Sequence, residues 1–466
     1  MIQHPPTPLD LFSEAQQTSI IQAAFHILAN TGLLIQSEEA TRQLRRAGCM
    51  YGDGDHLLFP RDVCDEHLST APSCFTLHGR DSRHDVQVCG DHLLLSPGYG
   101  SAFVADAEGR RREAGLGDFQ QFARLAHHSD LVDITGGLLV EPADVPPHRR
   151  PVVLTRALLQ CSAKPLLGSV AGDEGARQSI DVVRIVHPDL EARPAVLGLI
   201  NINSPLRLDA RMAQALLVYV RSGQPIILTP GILMGITAPV TVAGALAQAF
   251  AELIGCVVLT QALRPGAPVA IGTGGFGSDL RMAGSGFGRP EQALSNVLAA
   301  CLARKLRLPY RASPGVTGAF TADARAGYES MMTAFAAWSS GAHLCLQALG
   351  ILDHINAMSY EKFALDLEVW AYLARIASPT AVTDEALAME AIAELPADYL
   401  AADHTMSHFR RELLTPALCP ALSYDAWQET GGPDTLKLAR ERVKAMLAEA
   451  APPPLPDDVS RRLAAL

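Results

Sequence analysis

The stretch Leu197–Met212 reads LGLININSPLRLDARM. It begins as an apolar run of the kind that forms a fully buried strand, turns polar at Asn201, Asn203 and Ser204, stops at Pro205 and resumes an amphipathic helical pattern at Asp209. In an α/β barrel or a doubly wound sheet, ligands sit beyond the carboxyl ends of the strands. A buried strand that ends in three uncharged hydrogen-bonding groups is therefore read as one wall of a ligand site.

Outward from this stretch the same unit recurs every thirty to forty residues, roughly the spacing of a strand followed by a helix. Eight short apolar runs end in Gly, Pro, Ser or Asn: HLLLSPG near Leu93, LVDITGGLLV near Ile134, KPLLGSV near Leu166, AVLGLININ near Leu199, PIILTPG near Ile227, PVAIGTGG near Ala270, LPYRASPG near Tyr310 and AHLCLQALG near Leu346. Helical patterns lie between them, with start and stop signals such as Pro290–Glu291 at one entrance and Gly223 or Gly341 just past an end. The pattern predicts an α/β protein built on a closed (β/α)8 TIM barrel, with a doubly wound open sheet as the alternative. Residues 1–90 read as an N-terminal cap, 91–376 as the barrel and 377–466 as a C-terminal helical extension.

Bulk properties narrow the function. The 466 residues suit about three average domains or one barrel with extensions. With 48% hydrophobic and 19% charged residues the chain can bury a large core. A net charge of −11 argues against nucleic acid and anionic membrane surfaces as partners. Nine scattered cysteines without CxxC spacing predict reduced thiols and a cytoplasmic protein, and the N-terminus lacks the basic start and apolar run of a signal peptide. Thr241–Leu263 is long and apolar enough to span a membrane, but Gln248, Glu252 and Gln261 interrupt it, which predicts a helix buried among neighbours.

The predicted strand-end loops are glycine-rich, polar and aromatic. They hold no nucleophile beside a base and no histidine cluster with metal spacing, so no metal site is predicted and the catalytic residues stay unassigned. GTGGFG at Gly272–Gly277 fits GxGxxG, yet about a dozen residues separate it from the next helix at Pro290, whereas a dinucleotide site needs the helix to start at the glycines. Glu141 and Arg311 are the two charges read as aimed inward.

Ordered blocks along the chain resemble the trimethylamine methyltransferase family. They include HGRDS at His78, SPGYGSAFVAD at Ser96, NSPL at Asn203, GITAPVTVAGALAQAFAE at Gly235, RMAGSGFGRPE at Arg281, SGAHL at Ser340 and SYEKFALDLEV at Ser359. The resemblance implies a barrel enzyme that moves a methyl group from a methylated amine to Co(I) of a corrinoid carried by a separate protein, with no cofactor held tightly by this chain. It leaves room for a homo-oligomer. Members acting on trimethylamine carry a pyrrolysine in the barrel, and this sequence has none; relatives without it act on quaternary amines, glycine betaine foremost. A quaternary nitrogen leaves as a neutral tertiary amine, so no general acid is needed, and positioning and water exclusion remain.

Such a substrate asks for aromatic faces around its ammonium and, if a betaine, a cationic or amide anchor for its carboxylate. On the resemblance, Tyr99, Phe103, Phe276, Tyr310 and Phe320 are candidate cage members. Arg311, Asn201 and Asn203 are candidate anchors, with Glu141 and His343 also assigned to the substrate. Ser204, Thr237, Gly272 and Gly274 are assigned to the corrinoid-facing rim. The chain departs from the family pattern at Arg325, where glutamine is usual, and at His343, where asparagine is usual, which points to a different substrate. Transfer to a folate, or binding of betaines or a corrinoid protein without catalysis, are the competing readings.

Overall fold

The computed structural model describes residues 1–466 except Asp53, Met282, 395–397 and Pro420. The N-terminal part carries helices α1 (Glu14–Asn30) and α2 (Arg61–Thr70), then a hairpin of β1 (Phe75–Leu77) and β2 (Val86–Val88). Ser13 starts α1 with a capping box, its hydroxyl accepting from Gln16 N while the Gln16 side chain accepts from the Ser13 N–H.

Alternation then sets in: β3 (His92–Leu95), α3 (Leu116–His128), an extended segment at 133–136, α4 (Arg150–Cys161), β4 (Leu166–Leu167) and α5 (Gly172–Val186). It continues through β5 (Val196–Ile202), α6 (Ala210–Arg221), β6 (Ile226–Pro230), α7 (Val242–Leu263) and β7 (Val269–Gly272). After α8 (Pro290–Lys305), β8 (Tyr310–Ala312), α9 (Ala324–Ser339) and β9 (Leu344–Cys345), helices α10 (Tyr360–Ala377), α11 (Thr435–Glu449) and α12 (Asp457–Ala464) follow, with shorter helices between α10 and α11.

Strands β4 to β9 pair in parallel in sequence order, and β9 pairs with β3. The segment 133–136 closes the ring: Ile134 N donates to Leu95 O over 3.1 Å, Thr135 N to Pro165 O over 2.9 Å, and Leu167 N to Gly136 O over 2.8 Å. A closed eightfold barrel results, and all eight apolar runs lie in its wall. The second run is extended without being a regular strand, because Gly136 adopts a φ of 101°.

Inward-facing Leu94, Ile134, Leu197, Leu199, Ile227 and Ala270 form one apolar cluster with Phe75, Leu77, Val86 and Val88 of the β1–β2 hairpin. His78 N donates to Pro194 O and Arg80 N to Ala163 O, both just before strands β5 and β4, so the hairpin plugs the N-terminal end of the barrel. Ligand access is left to the C-terminal end. The hairpin is fastened by a Cys74–Cys89 disulfide, which corrects the expectation that all nine cysteines are free thiols. The sequence shows no CxxC, but hairpin register, which pairs Phe75 with Val88, brings together cysteines 15 residues apart.

Among the described residues α7 is the one helix long and apolar enough to cross a membrane, and it is almost wholly enclosed. It packs against α1, and a Cβ at Gly255 would lie 2.3 Å from Leu33 Cδ1 and 3.3 Å from Leu28 Cδ2, so a larger residue there requires these leucine side chains to shift.

Candidate functional site

The C-terminal end of the barrel opens into a cavity of about 860 Å³. Its wall follows from strand register. Asn201 pairs with Thr229 on β5 and β6, and Gly272 pairs with Arg311 on β7 and β8, so an inward row above the apolar cluster is polar where the lower rows are Leu, Ile and Ala.

Arg311 is 2% exposed. Its Nη2 donates to Gln347 Oε1 over 3.2 Å, its Nη1 reaches Thr273 O at 3.4 Å, and its Nε has no partner in the protein. No carboxylate pairs with it among the described residues. Burial lowers its pKa to about 10, which leaves it a cation at neutral pH. Room for the side chain comes from Gly272, where a Cβ would stand 2.6 Å from Arg311 O and 2.9 Å from its Cδ. Thr229 Oγ1 and Asn203 Oδ1, also on the cavity wall, are buried without a hydrogen-bond partner. Orphaned polar atoms gathered at one cavity mark a surface built for something that binds there.

Tyr99, on the loop after β3 and two strands round the barrel from Arg311, also lines the cavity. Burial, with a smaller contribution from the Glu141 charge, pushes its phenol up to about 12, so the ring is neutral at physiological pH. Glu141 sits beside it in an ion pair with Arg150 at 3.1 Å. Phe287, Arg207 and Arg211 complete the aromatic and cationic parts of the wall, both arginines being exposed at its rim. Ile355 lies at the edge, ending a run of three non-glycine residues with positive φ, Asp353 at 50°, His354 at 53° and Ile355 at 74°. Backbone in that region is strained and held here by Ser101 Oγ, which donates to Ile355 O over 2.8 Å, and by the Arg111–Asp353 ion pair.

The predicted site residues divide by position. Tyr99, Glu141, Asn201, Asn203, Ser204, Gly274 and Arg311 line the cavity together. Seven others lie elsewhere. Phe276 is fully buried in the main core, and Tyr310 points away from the barrel interior, its hydroxyl 2.6 Å from Thr273 Oγ1. Phe103 packs beside Arg111, and Phe320 is 63% exposed on the loop after β8. Thr237 ties its own loop, donating to Gly231 O and accepting from Leu233 N. Gly272 serves Arg311 rather than the rim. His343 stands at the opposite, N-terminal end, its Nδ1 accepting from Tyr310 N and its ring edge-on to His4. Strand alternation accounts for Tyr310: its neighbour Arg311 takes the inward position.

Ser204 lines the cavity but is also an anchor. Its hydroxyl donates to Glu252 Oε2 over 2.6 Å, while Leu206 N and Gln248 Nε2 donate to Glu252 Oε1. The buried carboxyl of α7, its pKa raised by burial, thus pins the loop that follows β5. Gln347, Arg150, Arg207, Arg211 and Phe287 went unassigned in the sequence reading. Arg207 and Arg211 lie inside the opening stretch itself, and their spacing after a strand end was the available signal. Arg325 pairs with Glu329 on α9 and does not line the cavity.

The family model described as Trimethylamine methyltransferase (MTTB) matches residues 1–466. The chain is 33% identical over 461 residues to the glycine betaine methyltransferase of Desulfitobacterium hafniense (strain Y51), covering 98% of this chain and 96% of that protein. It is 27% identical over 364 residues to the proline betaine:corrinoid methyltransferase of Eubacterium limosum, covering 76% and 74%. Against the L-carnitine:corrinoid methyltransferase of the same organism it is 26% identical over 388 residues, covering 80% and 79%.

Proposed function

Because the chain belongs to the trimethylamine methyltransferase family, we propose that it takes a methyl group from a quaternary amine bearing a carboxylate, glycine betaine or a related betaine, and delivers it to a corrinoid carried by a separate protein. The observation that carries the substrate class is Arg311, a buried cation on the wall of the cavity that pairs with no carboxylate among the described residues. An isolated buried charge costs several kcal/mol, and a substrate carboxylate offsets that cost on binding.

In this reading the carboxylate meets Arg311, with Asn203 and Thr229 offering further polar contacts, and the ammonium lies towards Tyr99 and Phe287. Fixing both ends of the substrate aims one C–N bond out of the barrel, which is the positioning an in-line displacement requires. The nitrogen departs as a neutral amine, and the cavity accordingly needs no acid at its centre. When bound, the corrinoid supplies a cobalt(I) nucleophile that accepts the methyl group. The open C-terminal face and the glycine-lined side at Gly231, Gly274 and Gly275 leave space for such a group, since about 860 Å³ exceeds what a small betaine fills.

A cytoplasmic location belongs to the same proposal, because Co(I) persists only under strongly reducing conditions. So does self-association, for which the exposed apolar side chains on the segment between α10 and α11, among them Val382, Leu400 and Leu413, offer surface.

The experiment mixes the purified chain with cob(I)alamin and, separately, glycine betaine, proline betaine, carnitine, choline or trimethylamine, and follows the Co(I) absorbance. Consumption of Co(I) with a carboxylate-bearing amine supports the proposal. Turnover of trimethylamine alone overturns the substrate class, and silence with all five transfers weight to another acceptor or to binding without catalysis.

A further inference from the structure

The partner that holds Arg311 is an amide. Arginine has only donors, so the Arg311–Gln347 contact of 3.2 Å must use Gln347 Oε1, and this fixes the orientation of the carboxamide. Gln347 Nε2 is thereby turned away from the guanidinium. It makes no hydrogen bond among the described residues and is not enclosed, while its residue lines the cavity. The backbone at this position is strained as well, with a φ of 66° in a residue that is not glycine, secured by a 3.1 Å bond from Gln347 N to Pro97 O.

The choice of side chain decides the charge of the site. Glutamate at 347 has the same length and would pair with Arg311 inside the protein, leaving no uncompensated cation. An apolar residue would leave the guanidinium without its lateral support. Glutamine orients the cation without neutralising it and adds an N–H donor beside it.

We propose that Gln347 is the specificity-determining residue of this cavity, reserving Arg311 for an anionic substrate group and so selecting carboxylate-bearing quaternary amines over choline and trimethylamine. The inference rests on the betaine reading above.

Calorimetric titration of the whole chain with glycine betaine and with choline, in the absence of corrinoid, tests it. Gln347→Glu is expected to weaken glycine betaine by about 100-fold while choline stays within about threefold or binds more tightly. Gln347→Met, uncharged and of similar volume, is expected to weaken glycine betaine by about tenfold and to leave choline unchanged. Equal losses for both probes, or an unchanged preference for glycine betaine, overturn the proposal. Thermal melting reports whether each variant folds. If Gln347→Glu does not, the methionine variant decides by the same criterion. A wild-type chain that binds neither probe overturns the betaine reading itself. A wild-type chain that prefers glycine betaine, with that preference intact in the variants, overturns only the role of Gln347.

Discussion

A buried arginine without an acid partner is a costly residue to keep, and Arg311 is kept by small means: one amide, one carbonyl and the missing side chain of Gly272. Replacing it with alanine is expected to reduce affinity for glycine betaine by about 100-fold, or about 2.7 kcal/mol, with a much smaller loss for choline. Equal losses in a binding titration would remove the anchor assignment. Gly272→Ala places a methyl group against the Arg311 backbone and Cδ, and the expected result is about 1–3 kcal/mol of lost stability together with a selective loss of betaine binding. Chemical denaturation and titration measure the two effects. Arg311 was legible in the sequence as an inward charge after a strand. Its lack of a partner was not, because ion pairing depends on residues far away along the chain.

At the scale of elements, a buried helix and a short loop are joined by Glu252. The carboxyl of α7 accepts from Ser204 Oγ, Leu206 N and Gln248 Nε2, so Glu252→Ala orphans one buried donor and two half-buried ones. The expected destabilisation is about 2–4 kcal/mol by urea unfolding, with Glu252→Gln costing less because it keeps one acceptor. The acidic residue that kept Thr241–Leu263 from reading as a membrane span is thus what fastens the polar end of LGLININSPL. The hairpin plug gives a second expectation. Reducing Cys74–Cys89, or replacing both with serine, frees a 15-residue separation and should lower stability by about 2–4 kcal/mol. A matched pair of unfolding curves with and without reductant checks this.

For the whole molecule, pH acts through half-buried histidines. His127, His187 and His343 are each lowered to about 4, mainly by burial, with the cations around them adding to the effect; Lys164 is the largest of these for His127, Arg80 for His187, and His4 and His92 act on His343. Each is therefore neutral in the folded chain at a pH where the unfolded chain, titrating near 6.5, already binds a proton. Stability falls as pH drops from about 6.5 towards about 4, and below that the difference between the states no longer grows. Melting temperature measured across this window should decline with falling pH, and His343→Asn should flatten part of the slope. An unchanged melting temperature between pH 7 and 5 would contradict the burial of these groups.

The division between sequence and tertiary structure follows from range. Eight apolar runs, their glycine and proline ends and the helices between them are patterns within a few consecutive residues, so the barrel could be read directly, as could the polar end of the fourth run. Strand periodicity also placed Arg311, Asn201 and Tyr99 on the correct end of the wall. Three-dimensional structure alone decided which aromatic residues reach the cavity: Phe276, Tyr310 and Phe103 turn elsewhere because adjacent strand residues face opposite sides and loops fold back on themselves. It alone set the Cys74–Cys89 pairing, the end of the barrel on which His343 sits, and the meeting of Gln347 with Arg311. Those contacts depend on the register and closure of a sheet whose partners are tens to hundreds of residues apart, and no local pattern records that distance.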